Sequence, residues 1–472
     1  MQSKAATRIV CIGGGHCNVQ VLKMLKQVMP NSAKLTVVTE APNAYYSGML
    51  PGAVSGLYTD DQIQIQIKPL AQWCNADYIE ERVHNIKASE NKINFESGGN
   101  MDYDLLAINV GSRTRGANET PGVKEYSLST RPINDLLSKI QKREKELIES
   151  KTIPEVVVCG SGAAGVEMAF GFKKRWSKLF NKEIKVAIVC PSSEIFPGKQ
   201  NDSIRAEILR KFSEKNIAVH YDAKVKEIQK NSVVLQDGRV IPCDVPVWAT
   251  GAEAQKVTMR SDLDVMNDYF RVNDYMQSTS HSNVFAGGDC VTMENYSHDR
   301  FPPKAGVYAV RAGPIIAQNL VNSILDKPLV KYVPQSGFLA LLMTADEKAI
   351  GSKFGIAFAG KWVWKMKDRI DTSFMKLFDP MYLYKDYAKF GCAFPVENNN
   401  LFENELYGDR ASSERIKERV FKMSTKEGAL SLLQEEEAEE FYEQFFVLDR
   451  MAKEQDFCKD VVENFRSIKN AS

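Results

Sequence analysis

The 472-residue sequence lacks three patterns that would assign a function at once. Its 61 Lys and Arg are balanced by 60 Asp and Glu, so there is no basic excess to favour nucleic acid as a main partner. No uninterrupted apolar run reaches the roughly 18 residues of a membrane span. No Cys-x-x-Cys pair is present, so a structural zinc site or a redox dithiol of that type has no support. We therefore predict no metal site and no membrane-spanning helix.

The cysteines are few and scattered, which favours a reducing compartment. There are nine of them, an odd number, and several lie in apolar strand-like runs, where cysteine behaves as a small hydrophobe. The first predicted strand begins at about Arg8, and the residues before it are too few for a signal peptide. We expect a cytoplasmic protein, or one peripheral to a membrane. The short basic run at 173–175 is interpreted as the solvated face of a helix.

Two glycine-rich turns are the most informative feature that is present: RIVCIGGGHCN at 8–18 and EVVVCGSGAAGVE at 155–167. Each follows a short apolar run and opens an amphipathic stretch. In such a strand–turn–helix unit the glycines allow a tight turn and close approach of a pyrophosphate, and the helix N-terminus supplies free N–H groups. The alternative is a glycine-rich turn without a ligand. Two copies favour two nucleotides held face to face, as a flavin reduced by a nicotinamide requires.

The second copy keeps all three fingerprint glycines, Gly160, Gly162 and Gly165. The strand that follows, KVAIVCP, ends in Cys190 and Ser192 instead of an acidic residue. Nothing there repels a 2′-phosphate, and no arginine is there to hold one. NADH and NADPH both remain open.

The first copy departs from the fingerprint at its third position. Gly13 and Gly15 are present, but Asn18 stands where a third Gly or Ala usually allows close helix–sheet packing. Glu40 ends the next apolar strand, where a carboxylate can accept hydrogen bonds from ribose hydroxyls. We predict that a bulky side chain at Gly13 or Gly15 would occupy the space of the pyrophosphate.

The C-terminal part of the chain differs in composition from the rest. Strand-like and helical stretches alternate from residue 8 to about 330, but residues 351–390 carry ten aromatics and eight Lys or Arg against four Asp. Such a mixture is typical of an interfacial membrane surface or of an aromatic domain interface. In the membrane alternative, Lys361, Lys365 and Lys367 are expected to face anionic headgroups.

Five elements, GGGHCN, INVGS, GSGAAGVE, WATG and FAGGDC, occur in the order of the two-dinucleotide-binding flavoproteins, and the chain resembles this pyridine nucleotide–disulfide oxidoreductase superfamily over about residues 8–390. Within it, YYSGMLPGAVSGLY at 45–58 and PPKAGVYAVRAGP at 302–314 are most similar to the branch found fused to selenophosphate synthetase. A more distant resemblance is to the type II NADH:quinone dehydrogenases.

The resemblance implies an α/β fold with two Rossmann-like dinucleotide-binding domains, a C-terminal α+β region and a helical tail. The implied units are an FAD-binding domain at 1–118 and 260–330, an NAD(P)H-binding domain at 119–259, an interface or acceptor region at 331–400 and an acidic helical tail at 401–472.

The resemblance also implies roles for individual residues. Asp289 would hydrogen-bond the FAD ribityl chain, and a helix beginning at Lys304, Ala305 and Gly306 would point its N-terminus at the flavin pyrimidine edge. Glu167 matches an acid near the flavin–nicotinamide contact and could relay a proton; the alternative is a first-turn carboxylate stabilised by the helix dipole. Glu167 and Lys304 are the predicted catalytic residues. The remaining predicted cofactor-binding positions are Gly111, Gly251 and Gly288.

One departure from the superfamily excludes a mechanism. Disulfide reductases carry a dithiol in the stretch that corresponds to 45–58, and this stretch contains no cysteine. Electrons must therefore leave the flavin directly. We predict an FAD-dependent NAD(P)H oxidoreductase with a small-molecule, quinone-like acceptor. The alternatives are a reductase of a selenium or sulfur species, and a flavoprotein fold retained as a structural or redox-sensing subunit. A membrane or protein partner at 351–390 or at the tail, and a homodimer, remain open.

Overall fold

The computed structural model describes residues 6–198, 201–299, 301–353 and 355–383. The predicted acidic tail at 401–472 lies outside the described residues, as does the end of the 331–400 region. The described strands are β1 Thr7–Ile12, β2 Ala33–Thr39, β3 Asn43–Tyr45, β4 Gln64–Gln66, β5 Asp77–Glu80, β6 Val83–Lys87, β7 Lys92–Phe95, β8 Asn100–Asp102, β9 Leu105–Ile108, β10 Ser112–Thr114, β11 Leu128–Ser129, β12 Glu155–Cys159, β13 Lys185–Val189, β14 Ile217–His220, β15 Val225–Gln229, β16 Ser232–Leu235, β17 Val240–Pro242, β18 Val245–Trp248, β19 Ala252–Ala254, β20 Val265–Met266, β21 Tyr269–Val272, β22 Val284–Ala286, β23 Val291–Met293, β24 Ala340–Met343, β25 Ala349–Lys353 and β26 Ile356–Gly360. The described α-helices are α1 His16–Val28, α2 Leu50–Ser55, α3 Ile67–Trp73, α4 Val123–Tyr126, α5 Ile133–Glu149, α6 Ala163–Leu179, α7 Asp202–Glu214, α8 Lys256–Arg260, α9 Gly306–Ile324, α10 Lys361–Lys376 and α11 Pro380–Leu383.

The first parallel sheet has the strand order β22-β9-β1-β2-β5. Its strands are apolar along most of their length because a parallel sheet of this kind is covered on both faces. Helices α1 and α9 pack closely on each other: a Cβ on Gly313 of α9 would lie 2.6 Å from the carbonyl oxygen of Cys17. Strand β22, far along the chain, completes a sheet that begins at residue 7.

The second parallel sheet has the order β11-β18-β12-β13-β14, and its strands all come from residues 128–248. The buried aromatic rings of Phe170, Phe172, Trp176 and Phe212 fill its core. The antiparallel ribbon of β10 with β19 connects the parts of the chain built on these two parallel sheets, which we call the first and the second half. Two parallel sheets, each beginning with a strand, a glycine turn and a helix, confirm the predicted Rossmann-like fold class.

Helix α6 of the second half packs on α2 of the first, and the partly buried Arg175 bonds to both α5 and α2. Arg175 donates to Glu144 of α5 at 2.5 and 3.0 Å and to the carbonyl oxygen of Val54 at 3.2 Å. Lys173 is 8% exposed and donates to the carbonyl oxygen of Ile184 at 2.6 Å. The interpretation of 173–175 as a solvated face holds for Lys174, which is exposed, but not for Lys173, which is buried; Arg175 is partly buried.

The C-terminal part that the structure describes is a three-stranded antiparallel sheet, β24 to β26, followed by α10. Helix α10 packs on this sheet and reaches back to the segment that leads into α2. It thereby brings residues near 370 to the place where the two parallel-sheet halves meet.

Candidate functional site

The first glycine turn is built around Asn109, at the end of β9. A Cβ on Gly13, whose φ is +87°, would lie 2.3 Å from the Asn109 carbonyl oxygen, and one on Gly15 would lie 2.1 Å from Asn109 Oδ1. Asn109 Oδ1 accepts from the Cys17 N–H at 3.0 Å, and its Nδ2 donates to the Gly287 carbonyl at 2.6 Å. A side chain on either glycine would therefore meet Asn109 first. That a bulky side chain there would also occupy the space of the pyrophosphate stays a prediction.

Asn18 explains how the turn tolerates a missing third glycine. Its side chain is 1% exposed and donates to the carbonyl oxygens of Ile12 at 2.8 Å and Gly13 at 2.9 Å. These bonds tie the helix to the end of β1. The backbone N–H groups of Gly15 and His16 have no acceptor among the described residues. The N-terminus of α1 thus presents donors suited to an anionic ligand.

The second glycine turn leaves open space at its middle glycine. A Cβ on Gly160 would lie 2.3 Å from the Ala249 carbonyl oxygen, and one on Gly165 would lie 1.8 Å from the Gly160 carbonyl oxygen. A Cβ on Gly162 would meet nothing within 4 Å. Two of the glycines are required by close backbone packing, and the third borders open space at the α6 N-terminus.

Strands β2 and β13 each follow a glycine turn and its helix, and different groups stand at the ends of these two strands. Glu40 follows β2, is exposed, and accepts from Arg82 at 2.6 Å. Cys190 follows β13, is buried, and its Sγ donates to Ser161 Oγ at 3.2 Å. The first half therefore offers a carboxylate where a ribose hydroxyl is expected, and the strand end in the second half offers none.

Asp289 lies in the turn after β22 and is held from two other elements. Ser112 Oγ donates to its Oδ2 at 3.0 Å, and Arg131 Nη2 lies 3.5 Å from the same oxygen. The Asp289 side chain is 20% exposed, so it can also meet a ligand. Arg131 was not predicted from the sequence. The only indication was that a basic residue stands at the junction of the two halves.

The other predicted cofactor-binding glycines lie near these residues. Gly111 has a φ of +66° and open space around its Cβ position, and Gly288 has a φ of +77° with its Cβ position 2.5 Å from Asn109 Nδ2. A Cβ on Gly251 would lie 3.7 Å from the guanidinium of Arg115. Their roles toward a cofactor stay predictions.

Helix α9 begins later than the sequence indicates. Gly306 is its first residue, Ala305 is its extended N-cap, and Lys304 lies outside the helix. Lys304 Nζ donates to the carbonyl oxygen of Val291 and lies 3.9 Å from the ring centroid of Tyr269. Burial lowers the pKa of Lys304. These contacts hold the side chain against β21 and β23, and a catalytic role for Lys304 stays a prediction.

The segment 45–58, which the resemblance matches to the dithiol stretch of disulfide reductases, is anchored by α10. Tyr46 OH donates to Asp371 Oδ1 at 3.1 Å. Lys367 Nζ donates to the Gly48 carbonyl oxygen at 2.8 Å and to Asp371 Oδ2 at 2.8 Å. The side chains of Lys367 and Asp371 are each 6% exposed. Sequence reasoning missed Tyr46 and Asp371; the only signal was the Lys–Asp pair at i,i+4 spacing.

Glu167 completes this group from the other side. It is 8% exposed and accepts from the Met343 N–H at 2.9 Å. Burial raises the pKa of Glu167 to about 7, and the nearby charge of Lys367 limits the rise. Burial alone would lower the pKa of Lys367, but the carboxylates of Asp371 and Glu167 hold it above its ordinary value. The site therefore contains a buried carboxyl group that can exchange a proton near neutral pH.

The aromatic side chains of α10 lie in internal contacts. Trp362 stacks on Phe358 with ring centroids 5.2 Å apart, and Trp364 lies 5.7 Å from Tyr58. Lys367 is buried in the ion pair, so the expectation that it faces headgroups was wrong. No helix in the described ranges is long and apolar enough to cross a membrane.

Comparisons with known proteins agree with this geometry. The family model described as pyridine nucleotide-disulphide oxidoreductase matches residues 7–313. The chain is 25% identical over 328 residues to a probable NADH dehydrogenase of Dictyostelium discoideum, covering 64% of this chain and 70% of the relative. It is 24% identical over 405 residues to a sulfide-quinone reductase of Aquifex aeolicus, covering 78% and 90%.

A solved structure shows the same fold. NDH2 from Plasmodium falciparum in complex with NADH superposes with a TM-score of 0.65 at 15% identity, over 81% of this chain and 98% of that one. The closer resemblance to the branch fused to selenophosphate synthetase stays a prediction.

Proposed function

The chain belongs to the pyridine nucleotide-disulphide oxidoreductase family, and from this premise we propose that it passes electrons from NAD(P)H through FAD directly to a quinone-like acceptor. The observation that carries the proposal is the group Tyr46, Asp371, Lys367 and Glu167, which lies against the segment that the resemblance matches to the dithiol stretch of disulfide reductases. A buried carboxyl group that can exchange a proton, without a thiol, suits an acceptor that takes up protons together with electrons.

The residues present fit both cofactors. At the first turn, the unpaired N–H groups of α1 and the exposed carboxylate of Glu40 suit the pyrophosphate and a ribose of FAD. Asp289 lies near them with a fifth of its side chain exposed. At the second turn, the open space at Gly162 suits the pyrophosphate of NAD(P)H. When bound, FAD accepts a hydride from the nicotinamide and passes electrons onward.

The chain's own contribution at the acceptor is control of a proton. With a pKa raised to about 7, Glu167 can take up and release a proton near neutral pH and can give it to an acceptor oxygen. Lys367 stabilises the carboxylate that this transfer leaves behind. Asp371 keeps Lys367 charged and fixed, because the two side chains are bonded at 2.8 Å.

Aromatic rings beside this group favour a planar acceptor. Tyr46 and Phe374 lie with ring centroids 4.8 Å apart next to the Asp371 carboxylate. Rings in this arrangement pack well against another aromatic ring. The names of two relatives, a sulfide-quinone reductase and a type II NADH:quinone oxidoreductase, support a quinone as the acceptor.

We further propose that α10 lies against an anionic membrane surface. Lys361, Lys365 and Arg369 recur at i, i+4 and i+8 and are exposed on this helix. Basic residues so placed are attracted to anionic headgroups, and a lipid-soluble quinone is found in the membrane. A protein partner and a homodimer are the competing uses of this face.

A spectroscopic experiment tests the proposed function. Purified protein is expected to show bound flavin that bleaches under anaerobic conditions on addition of NADH or NADPH. A short-chain ubiquinone, a persulfide, selenite and oxygen are then added separately, and the quinone should restore the flavin absorbance fastest. Faster recovery with the sulfur or selenium compound would favour that alternative. Protein that takes up no FAD would favour a structural subunit and contradict the proposal.

A further inference from the structure

His16 is a half-buried residue with a buried Nε2 atom, and the proposed function gives it no role. It is the first residue of α1, in the motif GGGHCN. Its ring packs beside the Tyr46–Phe374 pair, 5.3 Å from Tyr46 in an edge-to-face contact and 6.2 Å from Phe374. Its Nε2 is buried and has no hydrogen-bond partner in the part of the chain that the structure describes. A buried nitrogen without a partner is unfavourable and rare in native proteins.

The surroundings of His16 indicate where its partner comes from. Its backbone N–H is one of the unpaired donors at the α1 N-terminus. Burial lowers the pKa of His16, and the nearby carboxylate of Asp289 partly opposes this. The imidazole is therefore neutral at neutral pH and offers a donor or an acceptor, not a charge. Its backbone donor and the Asp289 carboxylate both border the FAD site assigned above.

We propose that His16 is a positioning residue for FAD, with Nε2 making a hydrogen bond to the bound cofactor that the cofactor-free protein leaves unmade. The rings of Tyr46 and Phe374 fix the plane of the imidazole, so Nε2 is oriented before FAD arrives. The inference rests on the proposed function for the identity of the ligand. It adds a side chain that couples the first glycine turn to the acceptor side of the site.

Three variants separate the hydrogen bond from the packing of the ring. His16→Phe keeps the aromatic contacts and removes the nitrogen. His16→Gln restores a polar group at similar reach. Tyr103→Phe is the matched control, because the Tyr103 hydroxyl is also buried without a partner in the described residues and lies in the same half of the protein. Each variant is stripped of cofactor and titrated with FAD by quenching of flavin fluorescence, and the thermal midpoint of the cofactor-free form is recorded.

We expect His16→Phe to bind FAD about fivefold to tenfold more weakly, because one hydrogen bond is lost. The cofactor-free form should melt at an equal or higher temperature, because an unsatisfied nitrogen has been removed. A purely structural role would lower affinity and midpoint together. His16→Gln should recover part of the affinity, and Tyr103→Phe should leave it unchanged.

Unchanged FAD affinity in His16→Phe would overturn the inference. If the same variant also had a raised KM for the quinone, Nε2 would be assigned to the acceptor instead. Failure of wild type to bind FAD would overturn both the inference and the proposed function. Failure of NAD(P)H to bleach an FAD-loaded protein would overturn the proposed function alone, because the titration with FAD does not depend on it.

Discussion

Single side chains in this site owe their chemistry to burial. Glu167 and Lys367 are almost entirely withdrawn from water, and each has a pKa displaced from its ordinary value. The positions of Glu167 and Lys367 in the chain did not reveal their burial. The family resemblance was enough to single out Glu167, but its burial depends on Met343 and α10, which are distant in the sequence.

We predict that Glu167→Gln removes a pH dependence of stability. The folded pKa of about 7 lies above the ordinary value of 4.5, so the folded protein binds more protons than the unfolded chain between these pH values. Wild-type stability should therefore fall as pH rises from about 4.5 to about 7, by about 3 kcal/mol at most. Urea unfolding at pH 5 and pH 8 should show this fall in wild type and its absence in the variant. Glu149→Gln, at an exposed position on α5, is the control, and an equal slope in wild type and Glu167→Gln would refute the assignment.

We predict that Gly162→Val blocks NAD(P)H without harming the fold. A Cβ there meets nothing within 4 Å, and the backbone φ of −81° suits any L-residue. The variant should keep its flavin and a stability within about 0.5 kcal/mol of wild type, but should no longer bleach with NADH or NADPH. Gly165→Ala is the contrast: its Cβ would lie 1.8 Å from a backbone oxygen, so it should lose about 1–3 kcal/mol. Normal bleaching in Gly162→Val would show that 155–167 does not bind the nicotinamide cofactor.

Helix α10 shows what a sequence pattern can and cannot give. The composition of 351–390 indicates a surface with aromatic and basic residues, and the structure places part of it on a helix. The pattern did not separate Lys367 from the exposed Lys361 and Lys365, because burial of a lysine depends on a partner surface such as the Gly48 carbonyl oxygen. The glycine turns were easier to predict, because a tight turn and the start of a helix depend on residues that are close together in the sequence.

We predict that Asp371→Ala destabilises the protein strongly, because Lys367 would be left as a buried charge without its partner. Breaking such a pair costs about 3 to 5 kcal/mol, and the double variant Lys367→Met with Asp371→Leu should recover much of it. Asp135→Ala on α5 is the control: its pair with Lys139 has the same i,i+4 spacing but side chains 48% and 54% exposed, so the change should be below about 1 kcal/mol. Chemical unfolding of the four proteins decides the matter, and equal losses at both sites would contradict the buried-pair account.

We predict that charge reversal on the exposed face of α10 abolishes membrane binding. Lys361→Glu, Lys365→Glu and Arg369→Glu together should release the protein from anionic vesicles in a flotation assay at low salt, with flavin reduction by NAD(P)H unchanged. Lys367 is left intact because it is internal. If wild type itself stays in the soluble fraction, the membrane proposal fails, and sedimentation of wild type and variant then tests the homodimer.

The arrangement of the chain as a whole places three sources of residues at one site. The first parallel-sheet half brings the α1 turn and Asp289, the second brings Glu167, and α10 brings Lys367 and Asp371. The order of five motifs was enough to predict two dinucleotide-binding halves. The contribution of α10 could not be predicted, because no pattern in the sequence shows which helix crosses the gap between them.

The central claim is that electrons leave the flavin directly and not through a thiol. The seven cysteines in the described residues are all free and buried, and Cys392 and Cys458 lie outside them. The decisive measurement is stopped-flow reoxidation of NADH-reduced protein by a short-chain ubiquinone, for wild type and for the double variant Cys392→Ser with Cys458→Ser. We predict rapid reoxidation at the same rate in both. Loss of reoxidation in the serine variant would contradict this result. So would reduced protein that is reoxidised by a disulfide but not by the quinone.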